Sequence, residues 1–281
     1  IRVLNFPWIK KSPLHRLYFD QMRAHWLVKK YRIDQVLSLQ NIELPHAGVP
    51  QTVYEHNALP FSEYRFKPWE SFRLWFTQQI LGRMMKRSIR RSEKVLVQTN
   101  WMKQEIVRQC RISSGRVEVK FPSVEMLKTA PWKIDRDRPV FFYPANASAY
   151  KNHRTFLKAC ERLQDHGYKD YEVIWTVTGK ENKNIRSMQK EAEGRGLPIR
   201  FRGLMPRREL FDRYATSVLV FPSYIETIGL PLLEARSVGA RILAADCRYA
   251  RDLVGDYQKA EFFEMFDAER LYRLMRSFCV K

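Results

Sequence analysis

Two carboxylates, Glu226 and Glu234, stand with seven residues between them in the stretch FPSYIETIGLPLLEA, residues 221–235. At that spacing they are candidates for an acid/base pair, a metal site, the two ends of a ligand clamp, or plain surface. The apolar run TSVLVFPS precedes them and reads as a strand. Pro231 is well placed as the first helical residue, where its missing N–H is no loss. Glu234 is then expected in the first turn of a helix and Glu226 in the loop before it. The amides of Thr227, Ile228, Gly229 and Leu230 line the approach to that helix N-terminus, a place where free N–H groups and the helix dipole favour phosphate. Gly229, with no side chain, allows close approach. A plainer reading fits the same spacing: Glu234 complements its own helix dipole and Glu226 is solvated. One glutamate in a loop and one on a helix give no reason to converge on a metal or to share a proton.

Other chemistries lose support by their absence. No G-x-G-x-x-G, no Walker-type loop and no G-x-S-x-G occurs, which argues against dinucleotide oxidoreductases, P-loop proteins and α/β-hydrolases. Cys110, Cys160, Cys247 and Cys279 are scattered without a C-x-x-C and read as reduced thiols. Histidines and cysteines lack the spacing of a zinc site, so no metal is expected. An Asp-x-Asp, residues 135–137, lies in a polar linker and reads as solvated.

The elements that must hold these residues alternate along the whole chain. Strand-like runs at 34–40, 51–56, 93–100 and 116–122 are separated by helical patterns at 12–32, 69–92 and 100–111. Further strand candidates fall at 139–145, 171–179, 199–203, 218–223 and 240–246. Alternation on this scale predicts an α/β protein with parallel sheets and crossover helices. The polar, proline-bracketed segment APWKIDRDRP, residues 130–139, divides it into domains 1–133 and 134–281. The first half opens on a strand fragment, IRVLNF, and a helix, as though its first βα units were absent. With the first Met at position 22, an incomplete N-terminal domain is expected, and the lack of a targeting segment carries little weight.

The segment VLVFPSYIETIGLPLLEARSVGARILAADCRYARDLVGD resembles the donor-binding core of family 4 glycosyltransferases, retaining enzymes with two facing Rossmann-like domains (GT-B). VFFYPANASAYKNHRTFLKA (140–159) is similar to the family's first C-terminal strand and its loop ending in Lys-Asn or Lys-Gly. IRFRGLMPRREL resembles the strand and turn that bracket the nucleotide base, and fainter likenesses lie in YEHNALPF and EKVLVQTNWMK. The resemblance spans about residues 35–275. It implies that domain 134–281 binds the nucleotide-sugar and domain 1–133 faces the acceptor. Lys151 then neutralises the donor diphosphate as a point charge. Glu234 accepts hydrogen bonds from the ribose, in the manner of the acidic ribose clamp of dinucleotide folds. Glu226 contacts the sugar, amides 227–230 hold hydroxyls or phosphate, and Leu204 or Met205 meets the base through backbone atoms. His56 matches the family's N-domain histidine facing the sugar, although a lone histidine is as readily a structural hydrogen-bond partner. The family often carries Arg five residues before the lysine; here that position is Asn146, so phosphate binding lacks a permanent charge. No resident cofactor is implied, only a UDP- or GDP-sugar as donor substrate, with a glycan or lipid-linked acceptor.

The formal net charge is +20, with residues 1–133 carrying 24 basic and 10 acidic side chains and residues 134–281 carrying 26 and 20. An excess of this size calls for an anionic partner. At 100° per residue, Arg83, Lys86, Arg87, Arg90, Arg91 and Lys94 form one stripe of segment 82–94, with Leu81, Met84, Met85 and Ile89 opposite. That pattern describes an ordinary helix packed on a sheet. Its stripe also suits anionic lipid headgroups, if the acceptor is lipid-linked. Nucleic acid is disfavoured, because no nucleic-acid motif and no aromatic-basic interleaving for base stacking is present. No apolar run approaches the ~20 residues of a membrane span. The expected location is therefore the cytoplasm, peripheral at the inner face of the cell membrane. Two functions stay open: a retaining glycosyltransferase of surface glycan or glycolipid assembly, and a non-catalytic basic module on the same fold that binds nucleic acid or anionic lipid.

Overall fold

The computed structural model describes residues 3–123 and 125–280. The chain divides into two compact units, Ile1–Pro122 and Ser123–Lys281.

The first unit carries a four-stranded parallel sheet in the order β1-β2-β3-β4, built from Val36–Ser38, Gln51–Tyr54, Lys94–Val97 and Val117–Val119. Its helices are α1 (Pro13–Tyr18), α2 (Ala24–Lys30), α3 (Phe72–Phe76), α4 (Gly82–Arg91) and α5 (Asn100–Cys110). The helical patterns at 12–32 and 69–92 are each interrupted by a π-helical turn, Phe19–Arg23 between α1 and α2 and Thr77–Leu81 between α3 and α4. The expected strand fragment at 1–6 does not form over residues 3–6, and its first two residues lie outside the described residues. The run VLNF has no strand partner in the sheet, whose outer strand on that side is β1.

The second unit holds a six-stranded sheet, all parallel, in the order β10-β9-β8-β5-β6-β7. The strands are β5 (Val140–Tyr143), β6 (Glu172–Trp175), β7 (Ile199–Phe201), β8 (Val218–Phe221), β9 (Ile242–Ala245) and β10 (Ala260–Phe263). Between and after them run α6 (His153–Asp165), α7 (Lys183–Gly194), α8 (Arg207–Thr216), α9 (Leu230–Ser237), α10 (Arg248–Val254) and α11 (Ala268–Cys279). The central strands are buried along their whole length in β8 and β9, as sheets covered by helices on both faces require. Counted from β5, this is the doubly wound order 3-2-1-4-5-6, whose direction of winding reverses between β5 and β8. Strand β10 escapes a reading by periodicity because its AEFF carries a charge and only one of its residues is buried.

The boundary between the units falls before residues 130–139 rather than within them. Residues 125–133 are tied to the second unit: Trp132 Nε1 donates to the Ser217 carbonyl at 2.7 Å, Lys133 N–H to the Ala215 carbonyl at 2.9 Å, and Arg208 to the Lys128 carbonyl at 3.0 Å. Proline bracketing marked a polar segment, but hydrogen bonds decide which unit that segment belongs to.

Candidate functional site

In a doubly wound sheet, ligands sit beyond the carboxyl ends of the strands where the winding reverses. Here those ends are β5 and β8, and the loops that follow them carry Lys151 and Glu226. The two side chains form an ion pair, Lys151 Nζ to Glu226 Oε1, with both largely shielded from solvent. Ser223 Oγ donates to the same Glu226 oxygen at 2.7 Å. Around this pair the loops are stitched together. Tyr224 N–H donates to the Tyr150 carbonyl at 3.0 Å, and the Tyr143 hydroxyl donates to the Lys151 carbonyl at 2.6 Å. The Tyr249 hydroxyl, from α10, donates to the Ser223 carbonyl. Asn152, in a left-handed conformation with φ 56°, donates to the carbonyl of Met265 at 2.6 Å and so joins the loop after β10. A lysine on a mobile loop has many rotamers; this one is presented by a hydrogen-bonded frame.

The electrostatics of the frame favour a single positive charge. His153, the first residue of α6, is buried, and burial followed by the nearby Lys151 charge lowers its pKa to about 3. It is therefore neutral and does not repel Lys151. Burial, with the Glu226 charge adding, raises the Tyr143 phenol well above its usual range, so it stays a donor. Burial likewise raises Tyr249.

Helix α9 begins at Leu230, with Pro231 second, one residue earlier than the proline signal indicated. The reason is Gly229, which caps the helix at φ 70°, ψ 50°, a left-handed conformation that only glycine adopts without strain. A Cβ there would lie 3.3 Å from Tyr249 Cε2. Among the described residues the amides of Ile228, Gly229 and Leu230 donate to no loop carbonyl, as expected of a helix start with anion-binding capacity. Thr227 and Ile228 are half-buried beside them.

Glu234 does not lie in the first turn of α9; it follows in the second, and it is 5% exposed. The dipole reading does not describe it, just as the solvated reading does not describe the shielded Glu226. Its Oε2 accepts from the buried Tyr214 hydroxyl at 2.8 Å, and its Oε1 accepts from Arg207 at 3.0 Å. Both partners come from α8. Arg207 also donates to the Glu125 carbonyl and lies over the Phe211 ring at 5.1 Å. Burial, then the Glu234 charge, raises the Tyr214 phenol well above its usual range. The two glutamates thus share no partner: Glu226 answers to Lys151 and Ser223, Glu234 to Arg207 and Tyr214.

The remaining expected residues stand as follows. Asn146 is exposed, and its Oδ1 accepts from Ser148 N–H at 3.0 Å, a closed turn in the loop after β5. Leu204 is 97% exposed and Met205 buried in the loop after β7, which Gly203 anchors by donating to the Val177 carbonyl at 3.2 Å. His56 is exposed in the first unit, at the end of β2. Its N–H donates to Asn41 Oδ1 at 2.7 Å, and its ring lies 5.8 Å from that of Tyr54. Asp135, of the Asp-x-Asp, accepts from the Asp137 amide at 2.9 Å in an exposed turn. Among the described residues no cluster of His, Cys, Asp and Glu is arranged to hold a metal ion. Ser223, Tyr143, Tyr249, Arg207 and Tyr214 went unnoticed in sequence; all but Ser223 act through contacts eight or more residues away along the chain. Only Ser223, three residues before Glu226, had a local signal.

Four of the six cations of the basic stripe in segment 82–94 have partners within the protein. Lys86 donates to Gln109 at 2.7 Å and Arg90 to the Cys110 carbonyl at 3.2 Å, Arg91 pairs with Glu43 at 3.6 Å, and Lys94 pairs with Glu118. Arg83, Arg87, Arg90, Arg91 and Lys94 are nonetheless all exposed. Opposite them, Met85 and Ile89 are buried as expected, whereas Leu81 and Met84 face solvent.

Comparison with known proteins bears on the family and the fold. The chain is 24% identical over 218 residues to a D-inositol 3-phosphate glycosyltransferase of Streptomyces avermitilis, covering 71% of this chain and 47% of that protein. It is 24% identical over 274 residues to the O-antigen chain mannosyltransferase B of Escherichia coli, covering 91% and 68%. The Anabaena protein HepE, solved in complex with UDP-glucose, superposes with a TM-score of 0.65 at 13% identity, covering 95% of this chain and 74% of that one. At that identity the likeness is one of fold: α/β, parallel sheets, the GT-B architecture. The chain spans about half the length of the first of these relatives. Residues 127–279, more than half of the 281, match the sequence profile of glycosyl transferases group 1, beginning just inside the second unit, and the chain belongs to that family.

Proposed function

We propose that this chain transfers a sugar from a UDP- or GDP-sugar to a glycan or lipid-linked acceptor, with retention of anomeric configuration, in surface polysaccharide or glycolipid synthesis. One observation carries the reading: the shielded Lys151–Glu226 pair stands where the sheet reverses its winding, beside the start of α9. A diphosphate placed there meets Lys151 and the amides at Ile228, Gly229 and Leu230, so that charge building up on the leaving phosphate is met by groups already in position. As the phosphate takes over Lys151, Glu226 is released to accept from sugar hydroxyls. Glu234 keeps lone pairs for the ribose beyond those that Arg207 and Tyr214 use, and its role as ribose clamp rests on the resemblance. The sugar nucleotide named with HepE and the glycan assembly named with the Escherichia coli relative support the substrate classes. No side chain here presents itself as a nucleophile toward the sugar, and none is assigned.

A lipid-linked acceptor brings the enzyme to an anionic membrane surface, a setting supported by the net charge of +20. No described helix is long and apolar enough to cross a membrane, so attachment is peripheral in this reading. The test is a thermal-shift screen of the full chain with UDP, GDP and their sugar conjugates. A ligand at a hundred times its Kd stabilises the native state by about 2.7 kcal/mol. A rise with one nucleoside diphosphate series is expected; no rise with any of them would sink the assignment.

A further inference from the structure

Segment 67–91 buries one face and leaves a second apolar face outside. Its inner face is Gln78, Gly82, Met85 and Ile89, all buried. Gln78 is fully engaged: the two N–H groups of its Nε2 are shared among Leu59 O and Ser62 Oγ at 3.0 Å and Tyr64 O at 2.7 Å, while its Oε1 accepts from Phe66 N–H at 2.9 Å. Gly82 sits so close to Pro60 that a Cβ would lie 3.0 Å from the proline's own. The helix therefore cannot roll.

What it holds outward is Phe72, Phe76, Ile80 and Met84, joined by Trp69 and Leu81. Phe72 is 66% exposed, Met84 51% and Trp69 79%. In a regular α-helix every fourth residue drifts by about 40°. The π-helical turn Thr77–Leu81 takes more residues per turn and reverses that drift at its middle, which keeps the four side chains on one ridge. The Phe72 ring lies 6.3 Å from that of Phe76 on the ridge and 5.6 Å from that of Trp75 beside it, between centroids. A contiguous exposed apolar ridge on a protein surface marks an interaction site.

Its flanks name the occupant. Arg73, Arg83 and Arg87 are exposed on the same helix, and Lys67 lies 5.4 Å over the Trp69 ring. Residues 67–91 hold seven basic side chains and one acidic, Glu70, whose carboxylate accepts from Lys67 N–H and the Tyr64 hydroxyl. Aromatic and aliphatic side chains on an outward ridge, with arginines beside them, are the make-up of a helix lying in a membrane interface. We infer that the ridge Trp69–Phe72–Phe76–Ile80–Met84, flanked by Arg73, Arg83 and Arg87, is the surface by which this protein docks on an anionic lipid bilayer. This rests on the membrane part of the reading above, and it moves the contact from the six-cation stripe to the apolar ridge.

The test is co-sedimentation of the full chain with vesicles of phosphatidylcholine alone or mixed with phosphatidylglycerol. Wild type is expected on the anionic vesicles, and the triple variant Phe72→Ser, Phe76→Ser, Met84→Ser should bind them at least about tenfold more weakly. Because all three side chains are exposed, its melting temperature should match wild type. Arg83→Glu with Arg87→Glu should weaken binding to anionic vesicles and remove its preference for them. Equal vesicle binding by wild type and triple variant overturns the inference. So does a wild-type dimer in sedimentation velocity that the triple variant abolishes, since the ridge would then serve a second copy. Lys151→Met separates this from the donor reading: it should keep vesicle binding while losing nucleoside diphosphate binding.

Discussion

Glu55 offers a quantitative test of the first unit. Its side chain is 0% exposed at the end of β2, where its own N–H donates to the Leu96 carbonyl at 2.8 Å. One carboxyl oxygen accepts from Asn57 N–H at 3.0 Å, and the other is buried without a partner. Burial raises its pKa from 4.5 to about 8, against the lowering effect of the Asn57 amide. The folded chain thus binds this proton more tightly than the unfolded chain. Below pH ~4.5 both states are protonated and the site has no effect on stability. As pH rises toward 8 the unfolded state ionises freely and stability drains away. At about 1.4 kcal/mol per pH unit, the full loss is on the order of 5 kcal/mol, of which about 3 falls between pH 5 and pH 8. Glu55→Gln keeps the shape of the neutral acid and removes the titration. Urea melts of wild type and variant should nearly coincide at pH 5, and the variant should be about 3 kcal/mol more stable than wild type at pH 8. A constant difference between the two proteins across that range would refute the buried-acid argument. For a domain of ordinary stability, 5–15 kcal/mol, such a loss is large.

Three further outcomes concern the second unit. Lys151→Met should weaken nucleoside diphosphate binding by at least about tenfold, whereas Glu226→Gln should preserve or strengthen it while abolishing sugar transfer, because the lysine no longer has a carboxylate to leave; calorimetric titration with UDP and GDP on both variants decides, and weaker binding in Glu226→Gln contradicts the exchange of partners. Tyr214→Phe takes a donor from a buried carboxylate and should lower stability by about 2 kcal/mol, read from denaturant melts at neutral pH. Gly229→Ala forces a Cβ into a left-handed cap 3.3 Å from Tyr249 and should destabilise the second unit by about 1–2 kcal/mol, together with a loss of nucleotide affinity; an unchanged affinity would remove the α9 amides from the site.

How much of this was legible beforehand varies by element. The strands β5, β8 and β9 are continuous apolar runs, and a parallel sheet covered on both faces demands just that pattern, so they were read in place. Strand β10 was missed because AEFF is charged and mostly half-buried. Lys151 and Glu226 stood out through flanking motifs, although nothing local states that they touch across 75 residues. Glu234 was placed in the first turn because the reading took Pro231 as the helix start; a left-handed Gly229 starts it one residue sooner, which carries Glu234 into the second turn. The charged stripe assumed a helix running on to Lys94; α4 ends at Arg91 and Lys94 opens β3, while Lys86, Arg90 and Arg91 bond to residues outside the helix.

By itself, then, the sequence determined the α/β alternation, because that follows from period, while its short-range motifs carried the resemblance to the family and, with it, the candidates for the phosphate site. Tertiary structure alone decided which charges answer each other. Lys151 meets Glu226 because the loops after β5 and β8 are neighbours in space, and Glu234 meets Tyr214 and Arg207 because α8 packs beside α9. It also decided which face of the Phe72–Arg91 helix is hidden, since the anchor of Gln78 is a loop some sixteen residues earlier. Ion pairing and packing are set by distance in space, and a linear pattern records only distance along the chain.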